Sequence, residues 1–344
     1  MNRTMTLMMT LVLIGSAIAG CAGDDVDLDD ADGGYTYASN VDNHRMLMGD
    51  VCDIKDLSGA YDWDGVKDIY DDGKHAEKSD GSYRTLMGFA DASGKNHAYD
   101  AYYGADGSWN DFVSAAIDGT GPFEGESDTV RDQAVEKGIQ NGVMTAYAIH
   151  ELNAAIIKAE AGNWGADDAQ HAWDEGWAFY HGPDDSNHDY DGCGPYATAA
   201  KRGGNFGTGD ATNIATLAAM NAGLTALQNE DMQGVVDARD EVLKNIVIVY
   251  SQASVRYASK MTDDLAAGDT SDYDKHQAEG HAFYRVIEAY VAEYNTSNSD
   301  MIVAMFDLTN DGDASADYEA DIRAWLQPVW DHYGITATDI GTLQ

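Results

Sequence analysis

Two short segments of the sequence share a pattern whose carboxylates could bind a metal ion. Asp174–Tyr180 reads DEGWAFY, and Ala278–Tyr284 reads AEGHAFY. A glycine inside a helix costs about 1 kcal/mol relative to alanine, so it is expected where another backbone or a ligand comes close. Glu175 and Glu279, which precede these glycines, are therefore predicted to lie near the interior of a helical bundle. Two buried carboxylates that face each other repel unless a cation lies between them.

Histidines at helical spacing accompany both glutamates. His171 lies four residues before Glu175, and His276 lies three residues before Glu279, so each pair shares one helix face. One imidazole and one carboxylate from a single helix is the kind of set that helical di-iron bundles direct inward. The same spacing also occurs in solvated surface pairs. Further candidate ligands are His150, Glu151 and His181, with Asp174, Tyr147 and Tyr180 as supporting residues.

The donor types narrow the choice of metal. Oxygen and imidazole ligands without thiolate suit iron, manganese or zinc, and a hard acidic cluster favours iron over copper(I). The pattern leaves open whether the two repeated segments share one site or hold two.

A second candidate cation site is the loop Asp307–Asp313, where Gly312 stands at position 6 of an EF-hand-like pattern. Position 12, where calcium requires a bidentate glutamate, is Tyr318, and Glu319 comes one place late. The loop therefore indicates either a calcium site or an acidic entry to a helix that begins near Ala316. Motifs for nucleophilic hydrolysis or for phosphate-binding glycine loops do not occur in the sequence.

The charge of the chain excludes one class of partner. The 344 residues include 20 Lys and Arg against 60 Asp and Glu, which gives a formal net charge of −40. Nucleic acid is excluded because phosphate binding needs a clustered basic surface. The acidity indicates either adaptation to concentrated salt or a surface that collects cations.

The N-terminus has the features of an export signal. Arg3 is followed by an apolar run at 7–14 and by Ile18–Cys21, which resembles a bacterial lipobox. That resemblance implies lipidation of Cys21 after removal of residues 1–20, and an ordinary signal peptide is the alternative. Residues 21–49 are predicted to form a flexible acidic tether, and residues 50–344 a single helical domain.

Cys52 and Cys193 are the cysteines that remain. In an oxidising envelope compartment, two thiols far apart in sequence are most simply one disulfide. Metal ligation by two isolated cysteines is the less simple alternative.

Helical periodicity dominates the sequence, and strand-like alternation is rare. We predict an all-α fold, an antiparallel bundle of two repeated helical hairpins at about 129–182 and 235–294, with an irregular N-terminal segment wrapped on it. Residues 182–209 are predicted to be a long loop. The predicted helices cover residues 64–70, 109–117, 129–161, 168–181, 211–227, 235–265, 273–294 and 316–333.

Three segments resemble a known family. Val66–Lys74, Ala148–Leu152 and Trp173–Tyr180 are similar to the low-iron-inducible periplasmic iron-assimilation proteins first known from green algae, across about 51–294. This resemblance implies extracytoplasmic capture or hand-over of iron without an established catalytic activity. A more distant similarity is to imelysin-like envelope proteins, whose Gly-x-His-x-x-Glu motif is kept at His276–Glu279 except that Asp274 replaces the glycine.

Together these observations predict a lipid-anchored iron-binding protein of the cell envelope that passes iron to a permease. One alternative is an oxidase or ferroxidase that uses a dinuclear iron site in the same bundle. Another is a structural surface lipoprotein of a halophile, in which the acidic residues serve only salt adaptation.

Overall fold

The computed structural model describes residues 28–95, 98–185, 188 and 190–344, and these residues form an all-α fold. Within those ranges the only β-type pairing is an isolated bridge between Glu77 and Tyr83. The predicted all-α class is therefore confirmed. The predicted signal peptide and the lipidation site Cys21 lie outside the described residues. None of the described helices is both long and apolar enough to cross a membrane.

Sixteen α-helices follow one another along the described ranges. They are α1 (Asp42–Arg45), α2 (Leu47–Gly59), α3 (Trp63–Asp72), α4 (Leu86–Asp91), α5 (Ala98–Tyr103), α6 (Ser108–Asp118), α7 (Asp128–Lys137), α8 (Met144–Glu160), α9 (Ala169–Tyr180), α10 (Pro195–Phe206), α11 (Ala211–Gln228), α12 (Met232–Ala267), α13 (Thr270–Arg285), α14 (Glu288–Met305), α15 (Tyr318–Tyr333) and α16 (Ala337–Ile340).

The first hairpin carries the first of the two repeated segments. α7 continues through one π-helical stretch, Gly138–Val143, into α8, so that the long helix predicted at 129–161 is present. Ser127 caps its start by accepting a hydrogen bond from the Val130 amide, and Gly162 follows its end with a φ of +85°. After a short connection, α9 turns back and packs along α8.

The second hairpin pairs α12 with α13, and here one boundary differs from the prediction. A single helix was expected over 273–294, but α13 ends at Arg285 and α14 begins at Glu288. The Tyr99 hydroxyl donates a 2.7 Å hydrogen bond to the Val286 carbonyl, which provides a partner for that carbonyl where the helix is interrupted. That the two hairpins repeat one another in structure stays a prediction.

The prediction of a loop over residues 182–209 is wrong in its second half, where α10 forms. Pro195 occupies the first turn of α10, where its fixed φ favours a helix start, and Gly194 precedes it as the cap residue. Tyr196 and Arg202 are buried, so tertiary packing offsets the low helix propensity of the glycines near the end of α10.

The predicted tether is also wrong over residues 28–49, which belong to the folded domain. Tyr35 and Val41 are buried, and Leu47 begins α2 at the core. The backbone amides of Ala38 and Ser39 donate hydrogen bonds to the carboxylate of Asp174 on α9. These contacts fix the segment, although its acidic composition is typical of a linker.

The disulfide between Cys52 and Cys193 is confirmed. Its Cα atoms lie 5.3 Å apart, across a sequence separation of 141 residues. The bond joins α2 to the 3₁₀ turn Asp191–Cys193 that precedes α10.

Helical glycines mark close approaches between helices, as the repeated segments suggest. A Cβ placed on Gly176 would lie 2.8 Å from Leu152 of α8, and one on Gly280 would lie 2.0 Å from Phe306. Another close contact between helices is at Gly223 of α11, where a Cβ would lie 1.9 Å from Trp173 of α9. Trp173 is fully buried and donates through its indole nitrogen to the Met220 carbonyl, so it cannot easily move away.

We expect Gly223→Ala to lower the free energy of unfolding by about 3 kcal/mol, because the added methyl group overpacks the indole of Trp173. Gly204→Ala is the matched control, since nothing lies within 4 Å of a Cβ at that exposed position of α10. The control should raise stability by about 0.5–1 kcal/mol. Urea unfolding of both variants measures the difference, and equal stabilities would contradict this packing account.

Candidate functional site

Three helices bring two glutamates and two histidines into one cluster. His44 comes from α1, Glu151 from α8, and His171 and Glu175 from α9. α9 packs against both α1 and α8, which places the three helices side by side. His171 and Glu175 share one face of α9 because they are four residues apart. We call these four side chains the His/Glu cluster.

The centre of the His/Glu cluster is one carboxylate oxygen of Glu175. Its Oε1 atom lies 3.0 Å from His171 Nε2 and 3.1 Å from His44 Nδ1. The centroids of the two imidazole rings are 6.4 Å apart. Glu175 and Glu151 are 9% and 7% exposed, so the carboxylates are buried but not sealed from solvent.

Glu151 and Glu175 lie close enough for their carboxyl groups to interact. Burial raises the pKa of Glu151, and the neighbouring negative charge of Glu175 raises it further. Two carboxylates in this arrangement are stable only when a proton or another cation lies between them.

His44 is a neutral imidazole in this setting. Burial lowers its pKa to about 3, and its electrostatic interactions with Arg84 and His171 act in the same direction. Its Nδ1 atom is buried and makes no hydrogen bond within the described structure, although Glu175 Oε1 is close by. In the tautomer that carries its proton on Nε2, Nδ1 presents a lone pair that can bind a metal ion.

A network of hydrogen bonds orients His171. The Ser39 hydroxyl donates to Asp174 Oδ2 at 2.8 Å, so its oxygen accepts from His171 Nδ1 at 2.9 Å. Asp174 also accepts from the Tyr35 hydroxyl and from the backbone amides of Ala38 and Ser39. Burial raises the pKa of Asp174, and these hydrogen bonds oppose that shift.

This network fixes which nitrogen of His171 carries the proton. Because Nδ1–H donates to Ser39, Nε2 presents its lone pair toward Glu175 Oε1 in the neutral ring. An imidazole held through its other nitrogen is the usual arrangement of a metal-binding histidine. Asp174, predicted as a supporting residue, therefore lies where it can orient His171 through Ser39.

Aromatic rings and cations surround the His/Glu cluster. Tyr147, another predicted supporting residue, packs against Phe89 and Phe179, and the charges of Glu151 and Glu175 add to burial in raising its pKa. His150 lies beside Tyr147, with ring centroids 5.1 Å apart. Burial, together with the charges of Lys95 and Lys158, lowers the pKa of His150.

The second repeated segment lies in a different environment. Glu279 accepts a 2.9 Å hydrogen bond from the Tyr257 hydroxyl and also interacts with the positive charge of Arg202. His276 Nδ1 lies 2.6 Å from Asp264 Oδ2. In the described part of the chain, the contacts of Glu279 and His276 are thus separate from those of the His/Glu cluster.

Two further predicted residues lie on α9 and just after its end. The Tyr180 hydroxyl donates to Asn213 Oδ1 at 2.9 Å. His181 is fully buried, stacks on Trp177, and holds its Nδ1 atom 2.8 Å from the Gly182 carbonyl. Neither residue contacts the carboxylate of Glu175 in the described structure.

The Asp307–Asp313 loop uses its acidic side chains in turns. Asp307 accepts from the Thr309 amide and hydroxyl, and Asp313 accepts in the same way from Ser315. The carbonyls of Asp307 and Asn310 accept hydrogen bonds from the Gln277 side chain. The calcium site stays a prediction, and the contacts in the loop are those of a helix entry.

Among the described residues, no three His, Cys, Asp or Glu side chains are already arranged as a metal site. The nitrogens of the His/Glu cluster lie 3.0–3.1 Å from the Glu175 oxygen. Two ligands at right angles around an ion with bonds of about 2.1 Å are themselves about 3.0 Å apart. The two separations therefore match those of neighbouring ligands, and the side chains would have to rotate to admit the ion.

His44 and Ser39 are the parts of this site that sequence reasoning missed. Both lie in the segment predicted to be a tether, more than 120 residues before His171. No periodicity links positions so far apart, so no signal in the single sequence could have found them.

Comparison with known proteins agrees with the family resemblance of the three segments Val66–Lys74, Ala148–Leu152 and Trp173–Tyr180. The sequence model of a family described as low iron-inducible periplasmic protein matches residues 7–344, nearly the whole chain. The chain belongs to this family. The family's description names a periplasmic location and induction by low iron, which is consistent with a role in iron assimilation. Searches of curated proteins and of solved structures find no match.

Proposed function

We propose that this member of the low iron-inducible periplasmic family binds one iron ion in the His/Glu cluster for iron assimilation. His44, Glu151, His171 and Glu175 would supply two imidazole nitrogens and two carboxylates. Such a nitrogen and oxygen set without thiolate suits iron. Water or a carried chelate would complete the six ligands that iron commonly takes.

One observation carries this proposal. Glu175 Oε1 lies 3.0 Å from His171 Nε2 and 3.1 Å from His44 Nδ1, and all three atoms can offer lone pairs. When both imidazoles are neutral and turn lone pairs toward Glu175, the three atoms repel at this distance, so a cation at their centre stabilises the arrangement. The family's low-iron induction points to iron as that cation.

The composition of the His/Glu cluster favours binding over oxidation. Helical dinuclear iron sites use four glutamates and two histidines, whereas the described cluster has two of each. This set matches a single ion that is held and released as cargo. It supports an iron-binding protein more directly than a ferroxidase.

The rest of the proposal concerns delivery. A net charge of −40 raises the local concentration of cations around the chain. Lipidation of Cys21 would keep the protein near the membrane, where an iron permease could receive the ion. The Cys52–Cys193 bond suits the oxidising compartment that this location requires.

Metal content after dialysis against concentrated salt tests the proposal, because salt removes loosely held surface cations. We expect the full chain to retain one iron per molecule, measured by mass spectrometry of the metal. His44→Ala should lose that iron. His332→Ala is the matched control, since His332 stacks on Tyr294 far along the chain and should retain it. Equal iron in all three proteins, or none in any, would refute a specific site at His44.

Ser39→Ala should weaken iron binding about 10- to 100-fold, because it frees His171 Nδ1 and lets the ring turn away. The free energy of unfolding should change by about 1 kcal/mol at most, since Ser39 keeps its backbone contact with Asp174. Competition with a coloured chelator measures the affinity. Ser114→Ala, which removes a hydroxyl bonded to Asn110, is the control and should bind iron like the wild type.

A further inference from the structure

Five basic side chains from four helices interact electrostatically around α10. They are Lys55 of α2, Lys137 at the end of α7, Lys201 and Arg202 of α10, and Arg256 of α12. The chain has three acidic residues for each basic one, so a local excess of positive charge runs against its composition. We call these five residues the basic cluster.

Arg202 is the buried member of the basic cluster. It is 7% exposed, and its Nε and Nη1 atoms are buried without a hydrogen-bond partner in the described structure. Arg256 Nε is buried and unpartnered in the same way. The Cζ atoms of the two guanidinium groups lie 5.7 and 5.8 Å from the centroid of the Tyr257 ring. Buried guanidinium donors without partners are costly, so such donors are expected where water or a ligand satisfies them.

The nearby carboxylates do not neutralise the basic cluster. Glu279 accepts from the Tyr257 hydroxyl, Glu136 pairs with Lys137 at 2.7 Å, and Asp132 accepts from Gln133. Across the described ranges, no carboxylate oxygen lies within 4.0 Å of the side-chain nitrogens of Lys55, Lys201, Arg202 or Arg256. Four of the five cations are therefore without a direct ion-pair partner.

The positive charges of the basic cluster repel one another. Burial lowers the pKa of Lys201, and the charges of Lys55, Lys137 and Arg202 lower it further. Burial also lowers the pKa of Arg202, with an added effect from Arg256. An anion at the centre would relieve this repulsion.

We propose that the basic cluster binds a small multivalent oxyanion, either a phosphate group or a polycarboxylate. Arg202 Nε and Nη1 would donate to the oxygens of the anion, as a guanidinium does to carboxylate and phosphate. Arg256 Nε supplies a further donor, and the lysines supply charge. The basic cluster shares no residue with the His/Glu cluster, and anion binding there does not depend on iron binding.

Calorimetric titration of the metal-free full chain tests this inference at one fixed sodium chloride concentration. Inorganic phosphate and citrate serve as the two probes. We expect saturable binding of one anion per chain by at least one of them. Binding of phosphate alone would indicate a phosphate group, and binding of citrate would indicate a polycarboxylate site.

Variants locate the bound anion. Arg256 and Lys201 are less buried than Arg202, so the fold should survive the substitutions Arg256→Gln and Lys201→Gln. Arg256→Gln should weaken anion binding at least tenfold. Lys67→Gln is the matched control, because Lys67 is exposed and paired with Asp118 on another helix. Its affinity should equal that of the wild type, as should that of Glu175→Gln. No saturable binding of either probe, or an unchanged affinity in Arg256→Gln, would overturn the inference.

Discussion

Glu175→Gln should reduce the affinity for iron at least 100-fold. Glu175 Oε1 is the atom that lies closest to both imidazoles, and the substitution removes its negative charge while keeping its size. The other ligands of the iron would be Glu151 and two neutral imidazoles. Loss of the Glu175 charge therefore removes about half of the negative charge around the ion. Competition with a coloured chelator measures the affinity of both proteins.

Glu279→Gln is the matched control for this prediction. Glu279 occupies the equivalent place in the second repeated segment, but it accepts from Tyr257 and lies near Arg202. Its substitution should leave iron affinity within about twofold of the wild type. If Glu279→Gln lost iron as completely as Glu175→Gln, a site shared between the two repeated segments would be correct instead.

Removal of the disulfide should have the largest effect on stability. Cys52 and Cys193 close a loop of 141 residues, and cross-links over such loops restrict the unfolded chain by about 3–5 kcal/mol. We expect the double variant Cys52→Ser/Cys193→Ser to lose about that much free energy of unfolding. Urea unfolding without reductant measures it.

Reduction of the wild type provides the control. A thiol reductant should bring the wild type to the stability of the double variant and should leave the double variant itself unchanged. A difference below about 1 kcal/mol between the oxidised wild type and the double variant would contradict the stabilising role of the bond. The bond also joins α2, which follows His44, to the chain that follows α9, so its loss should weaken iron binding as well.

The parts of the site that are local in sequence could be predicted. His171 and Glu175 share a helix face because of their spacing, and the glycine after Glu175 indicates a close approach that the structure shows at Leu152. The helices that carry Glu151 and Glu175 were also predictable from periodicity. These features depend on residues within one or two turns of each other.

The parts that depend on distant contacts could not be predicted. His44 joins Glu175 only because residues 35–39 are held by Asp174 of α9. The break after Arg285 coincides with a hydrogen bond from Tyr99 to the Val286 carbonyl. In both places a tertiary contact decides the local structure, and the composition of the segment alone gives the opposite expectation.

The repeated segments show the same limit at the level of function. Glu175 and Glu279 have the same local pattern, so a single sequence assigns them the same chemistry. Their surroundings come from other helices, with imidazoles around Glu175 and a guanidinium and a phenol around Glu279. The neighbours rather than the motif distinguish the two carboxylates.

Anomalous diffraction at the iron absorption edge, from crystals of the iron-loaded chain, tests the central claim most directly. The iron-binding account predicts one strong peak within about 2.3 Å of ligand atoms from His44, His171 and Glu175, with Glu151 beside it. The same crystals of Glu175→Gln should lack that peak. A peak at Glu279 and His276, at the Asp307–Asp313 loop, or only at surface carboxylates would contradict it.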